Sequence, residues 1–215
     1  MTGERRLPSI SPYALPAEGE WPDSRADWAF EPKRAALLVH DMQGYFVDAF
    51  VADAAPIAEA TANIARLIAA ARSRGMPVFY TAQHGNQQRC DRGLQADLWG
   101  PGMRATEAHQ RIVLPLAPED GDQVLVKHRY SAFQRGNLEH LLRARGRDQL
   151  LITGVYAHIG CLQTAGDAFQ RDIQPFFAAD ALADFARHWH DMALSYVADC
   201  SGVVRSTRQL IESMH

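Results

Sequence analysis

Residues 35–46 read AALLVHDMQGYF, and this stretch decides the fold. Ala35 to Val39 form an unbroken apolar run, the signature of a strand buried on both faces within a parallel sheet. The run gives way at His40-Asp41-Met42-Gln43, so a carboxylate stands where the strand meets its loop. Ligands of open α/β sheets bind beyond the carboxyl ends of the strands, which makes Asp41 a candidate reacting group. An acid after a strand also serves as a turn former or helix cap, and position alone leaves both readings open.

Outward from this strand, apolar runs and helical periodicities alternate. Ile57, Ala60, Ile64, Leu67, Ile68 and Ala71 recur at helical spacing within 53–74, with Gly75 as the stop. A second strand is expected over 77–82, a third over 124–126 ending at Lys127, and a fourth over 149–155. The fifth is expected over 175–179, and a sixth begins at Val203-Val204. Helices are expected over 138–144, 162–171 and 190–200, and 93–103 reads as a loop folding back over the site. Strict alternation of this kind implies a parallel sheet covered on both faces by right-handed crossovers. The fold class is therefore α/β, a three-layer Rossmann-like sandwich around a mostly parallel six-stranded sheet. Residues 1–31 form an irregular arm packing on the domain of residues 32–215, with Trp21, Trp28 and Phe30 as its anchors.

Composition narrows the function. The 215 residues are 47% hydrophobic and 22% charged, as expected of one soluble globular domain. A net charge of -3, with no basic stripe, argues against nucleic acid or an anionic membrane as partner. Cys90, Cys161 and Cys200 lack paired spacing and read as reduced thiols, which points to the cytoplasm. Residues 1–13, MTGERRLPSISPY, lack the apolar core of a signal peptide and no apolar run approaches roughly 20 residues, so neither a secretory leader nor a membrane span is expected. Neither G-x-G-x-x-G nor G-x-x-x-x-G-K-[ST] occurs, HExxH is missing, and the histidines are dispersed, so no cofactor and no metal are expected.

Three strand ends carry chemistry: Asp41 after the first, Lys127 after the third, and Tyr156-Ala-His-Ile-Gly160 after the fourth. In a doubly wound sheet these ends share one rim. By itself the Asp–Lys combination fits a structural ion pair as well as a catalytic one. The segments LLVHDMQGYF, FYTAQ, LWGPGM, VLVKHRYSAF, ITGVYAHIGC and DIQPFFAADALADF, spread from about Trp28 to Leu210, resemble the isochorismatase-like hydrolases. Within that family they are most similar to the isochorismatases of siderophore pathways and their phenazine-pathway relatives. The wider family uses an Asp, a Lys and a nucleophilic Cys, and Asp41 and Lys127 match the first two. GVYAHIG places Gly160 at the cysteine position, with Cys161 one residue late. One residue on a helix is a rotation of about 100°, which turns the Cys161 thiol away from the rim and makes it a buried structural residue.

The resemblance implies hydrolysis of the enolpyruvyl vinyl ether of isochorismate without a covalent intermediate. Asp41 is the expected general acid, and Lys127 is expected to bind substrate anion and to share a proton network with Asp41. Gln83 and Arg92 match positions that contact the substrate's polar and anionic groups. Tyr156 and Gly160 belong to a segment whose backbone N–H groups are expected to cradle a carboxylate. Phe46 and Trp99 are expected to wall the pocket. Two departures bear on substrate preference: His128 replaces the usual Trp after the catalytic Lys, and His84-Gly85 follows TAQ in place of Pro. The expected partners are a small-molecule substrate, isochorismate or 2-amino-2-deoxyisochorismate, and a second copy of the chain in a homodimer or larger homo-oligomer. With the chain ending at His215, an aryl carrier protein in the same pathway would be a separate polypeptide. The competing readings are a thiol-dependent amidohydrolase, opposed by Gly160, and a non-catalytic binding module, opposed by the intact Asp41 and Lys127.

Overall fold

Six strands lie side by side in the order β3-β2-β1-β4-β5-β6, every neighbouring pair parallel, in a computed structural model that describes residues 7–215. They are β1 (Ala35–His40), β2 (Val78–Ala82), β3 (Gln123–Val126), β4 (Gln149–Val155), β5 (Gln174–Ala183) and β6 (Val203–Arg205). The order reverses direction at β1 and β4, the two central strands, and all thirteen of their residues are buried. This is the reason the AALLVH run is continuously apolar: water reaches neither face.

The helices, in chain order, are α1 (Gly44–Val47), α2 (Ile57–Ser73), α3 (Arg89–Arg92), α4 (Gln95–Trp99), α5 (Glu107–Gln110), α6 (Leu138–Ala144), α7 (Leu162–Phe169), α8 (Arg187–Cys200) and α9 (Thr207–Glu212). Alternate strand residues feed two separate cores. Leu37, Val39, Tyr80, Leu151 and Phe176 pack with Ile64, Leu67 and Ile68 of α2 and Leu210 of α9. Ala36, Leu38, Phe79, Ile152 and Phe177 pack with Leu138 and Leu142 of α6, Ala165 of α7, and Leu194 and Val197 of α8. Each fully buried large aliphatic or aromatic side chain contributes roughly 1.5–3 kcal/mol, so these two layers dominate the favourable side of folding.

Residues 7–31 run irregularly over the domain. Phe30 is buried edge-on against Phe176, with centroids 5.2 Å apart, while Trp28 and Trp21 pack on the two cores. The Gln149 amide secures the arm, donating to the Ala29 carbonyl and accepting from the Glu31 N–H, both at 2.8 Å. Among the described residues no helix is long and apolar enough to cross a membrane.

The expected sheet is correct in strand number and direction, but β5 is longer than its expected span. It continues past Asp180 to Ala183, because a register shift between Ile152 and Gly154 lets its second half pair with the end of β4. The expected 93–103 loop is partly helical, containing α4, and α3 lies just before it. Between β4 and α7 the chain makes a π-helical turn, Ala157–Cys161, where a simple helix start is expected.

Candidate active site

The carboxyl ends of β1, β2, β3 and β4 open onto one cavity of about 530 Å³, counting its mouth. All eight residues singled out in the sequence line it: Asp41, Phe46, Gln83, Arg92, Trp99, Lys127, Tyr156 and Gly160. His40, Tyr45, Tyr130 and Phe185 also line it, and sequence reasoning missed them.

Asp41 leaves β1 with φ 51°, a left-handed conformation that Asp tolerates better than most residues, and this turns its carboxylate inward. Its backbone N–H donates to Thr81 Oγ1 at 3.1 Å, and the Thr81 hydroxyl donates back to Oδ1 at 2.6 Å. Oδ2 accepts from Gln83 Nε2 at 3.1 Å and lies 2.8 Å from Lys127 Nζ. Asp41 and Lys127 are 4% and 3% exposed, so the ion pair is shielded from solvent. Burial pushes the Asp41 carboxyl up, but the Lys127 charge, His40 and the donors around it outweigh burial and hold it below its ordinary value. At neutral pH Asp41 is therefore a carboxylate.

Lys127 spends all three of its donors within the protein. Besides Asp41, Nζ donates to the carbonyls of Arg129 at 2.9 Å and Tyr130 at 3.3 Å. A substrate anion could reach this ammonium only by displacing or sharing one of these acceptors. Lys127 thus belongs first to Asp41, a refinement of the direct anion-binding role expected from sequence.

Arg92 differs. It is 7% exposed, its Nε donates to the Gly100 carbonyl at 2.7 Å, and no acidic side chain pairs with it among the described residues. Burial lowers its pKa, as expected of a cation without a counter-charge. It faces the same cavity as Asp41.

Gln43 braces the β1 and β2 exits. Its Oε1 accepts from the Gln83 N–H at 2.7 Å, and its Nε2 donates to the Gln83 and Gln110 carbonyls at 3.0 and 2.7 Å. Opposite the charges, Tyr156 donates to the Phe46 carbonyl at 2.9 Å and meets Phe185 at 4.4 Å between centroids. Trp99 donates to Tyr130 Oη at 2.7 Å and packs edge-on against Phe185. One wall is aromatic and the other ionic.

At the β4 exit, two N–H groups of the segment 156–160 have partners within the protein: the His158 N–H donates to Asp184 Oδ2 at 2.6 Å, and the Ile159 N–H donates to the Tyr156 carbonyl. His128, which stands next to Lys127 where Trp is usual, does not line the cavity. Cys161 is fully buried behind the turn, and burial drives its thiol pKa well up, the opposite of an activated nucleophile. Phe185 escaped notice because it follows the unforeseen end of β5, and Thr81 because a hydroxyl inside a strand carries no motif of its own.

A family model described as an isochorismatase domain matches residues 35–209. The isochorismatase of Bacillus subtilis (strain 168) is 49% identical over 208 residues, covering 97% of this chain and 67% of that protein. The phenazine biosynthesis protein PhzD of Pseudomonas fluorescens is 46% identical, covering 98% of this chain and all of that protein. Among solved structures, a cysteine hydrolase from Pseudomonas syringae pv. phaseolicola 1448A superposes with a TM-score of 0.79 at 25% identity, covering 90% of this chain and 97% of that one. With the six-stranded parallel sheet and the Asp41–Lys127 rim in place, these likenesses make the chain a hydrolase of the isochorismatase family.

Proposed function

We propose that this enzyme hydrolyses the vinyl ether of isochorismate to pyruvate and 2,3-dihydro-2,3-dihydroxybenzoate, with Asp41 as the general acid. The observation that carries the reading is a buried carboxylate facing an aromatic-walled cavity whose β4 exit offers glycine in place of a nucleophile. In this reaction Asp41 delivers a proton to the terminal methylene of the enolpyruvyl group, leaving an oxocarbenium ion on the ether carbon. Water adds to that carbon, and the hemiketal collapses to pyruvate and the ring diol. Asp41 is ionised in the free enzyme, so its proton must return on binding. The substrate brings two carboxylates and expels water, and both changes favour the neutral acid. Lys127 then holds the carboxyl group in place and stabilises the anion left after transfer. Arg92, a buried cation that no acidic side chain pairs among the described residues, takes a substrate carboxylate. Gln83 orients Asp41, while Phe46, Trp99 and Tyr156 keep bulk water from the cation.

The second reading keeps the mechanism and changes the substrate to 2-amino-2-deoxyisochorismate, giving 2,3-dihydro-3-hydroxyanthranilate and pyruvate. It is favoured by the full-length likeness to PhzD. In either case we place the enzyme in the cytoplasm as a homodimer or larger homo-oligomer, with residues 32–215 as the hydrolase domain. Pyruvate release from the two substrates supplied side by side tests the reading. Faster turnover of isochorismate supports the first form, preference for the amino analogue the second, and no pyruvate from either rejects both.

A further inference from the structure

His40 and Gly160 meet at the base of the cavity. A methyl group built on Gly160 would overlap His40 Cε1 and stand 3.0 Å from Nε2 and 3.1 Å from Nδ1. The ring cannot swing away cheaply. It is fully buried, and its Nδ1 lies 3.0 Å from the Val155 carbonyl, a pure acceptor that fixes the proton on Nδ1. The backbone behind it is equally tight. At Gly154, with φ 106°, a methyl group would overlap the His40 carbonyl oxygen and stand 2.8 Å from its nitrogen. Two glycines, one at the end of β4 and one in the turn after it, thus close around one histidine, the first against its backbone and the second against its ring. Among the described residues Nε2 has no partner in hydrogen-bond geometry.

We propose that His40 and Gly160 form an interlocked pair: the imidazole occupies the volume that any side chain at position 160 would need. The exit of β4 is thereby kept bare, and no nucleophile can be installed there without first removing His40. The pocket is committed to Asp41 and water by the residue next to Asp41 itself. Two positions 120 residues apart decide together which reaction type the rim can support. The interlock stands on packing alone, and only its catalytic consequence rests on the hydrolytic reading given above.

A thermal cycle with Gly160→Ala, His40→Ala and the double variant tests it without requiring turnover. In the otherwise unchanged chain, Gly160→Ala overpacks a closed site and lowers Tm by about 5–10 °C or prevents folding. In the His40→Ala background the same change shifts Tm by less than about 2 °C. An equal drop in both backgrounds, no drop in the unchanged chain, or a double variant that fails to fold would overturn the interlock. In a His40→Ala/Gly160→Cys variant, the new thiol should react with iodoacetamide in the folded protein while buried Cys161 stays unmodified, as read by peptide mapping. A new thiol as inert as Cys161 contradicts the claim that position 160 opens onto the cavity. Isochorismate should slow this alkylation. Alkylation that isochorismate leaves unaffected would count against the substrate assignment and not against the interlock.

Discussion

Two buried cations face the same cavity and are built in opposite ways. Lys127 is saturated, with three donors on three protein acceptors, one of them the Asp41 carboxylate. Arg92 is almost as buried, yet one carbonyl is its only polar partner among the described residues. An isolated buried charge is costly unless something pairs with it. A chain that satisfies one cation completely and leaves the other open therefore separates two tasks. Lys127 sets the state of an acid, and Arg92 has no acidic partner among the described residues, which fits the anion-binding role proposed for it.

The largest effect should come from Asp41, the acid that Lys127 holds. Asp41→Asn retains the shape and the donors around it but has no transferable acid proton, so kcat for pyruvate release should fall by about 10³-fold, within the range ascribed to general acids, with KM changing little. A loss under tenfold would mean that Asp41 only positions substrate. Lys127→Met comes next. It leaves Asp41 buried without its counter-charge, and burial, opposed now only by His40 and the remaining donors, moves the carboxyl pKa upward. Breaking such a pair costs about 3–5 kcal/mol, so a fall in Tm should accompany a drop in kcat of about 10²-fold.

Arg92→Gln sharpens the contrast. If Arg92 binds substrate anion, KM should rise about 10- to 100-fold, the worth of one charge-assisted contact, while kcat stays within a few-fold. A kcat defect like that of Lys127→Met would erase the distinction between the two cations. The smallest effect belongs to Cys161→Ala. The thiol is buried behind the rim, so activity should remain within about twofold, with a stability loss of roughly 1 kcal/mol from the vacated volume. Loss of turnover on this change would revive a thiol mechanism.

Much of this arrangement was legible before the fold was known, for identifiable reasons. The exits of β1, β2, β3 and β4 are marked by apolar runs that stop at polar residues, and parallel topology forces those exits onto one rim. That is why Asp41, Lys127 and the Tyr156–Gly160 segment could be gathered from distant parts of the chain, while Gln83 came from the family resemblance. What stayed hidden depends on partners with no local signal. Asp180 looks like a strand terminator, but its Oδ1 accepts from the Thr207 N–H and hydroxyl, both at 2.7 Å, and so caps α9 from within β5. The strand runs on to Ala183 and delivers Asp184 and Phe185 to the site. Asp184 then occupies the His158 N–H and reaches His158 Nδ1 at 2.6 Å, where the sequence suggests a cradle for substrate. The contact of Gly160 with His40 is likewise a matter of packing across 120 positions. Periodicity and motif spacing do not encode it.

The central claim is that Asp41 is ionised in the free enzyme and protonated in the complex that reacts. The pH dependence of kcat with saturating isochorismate tests it most directly, because kcat reports groups in the bound complex. The general acid must carry its proton, so the rate should be highest at low pH and fall as pH rises through a group titrating above the ordinary carboxylate range of about 4. Asp41→Asn should abolish that limb along with most of the rate. A kcat profile in which no group titrates above the ordinary carboxylate range, or a limb that survives in Asp41→Asn, would contradict the account.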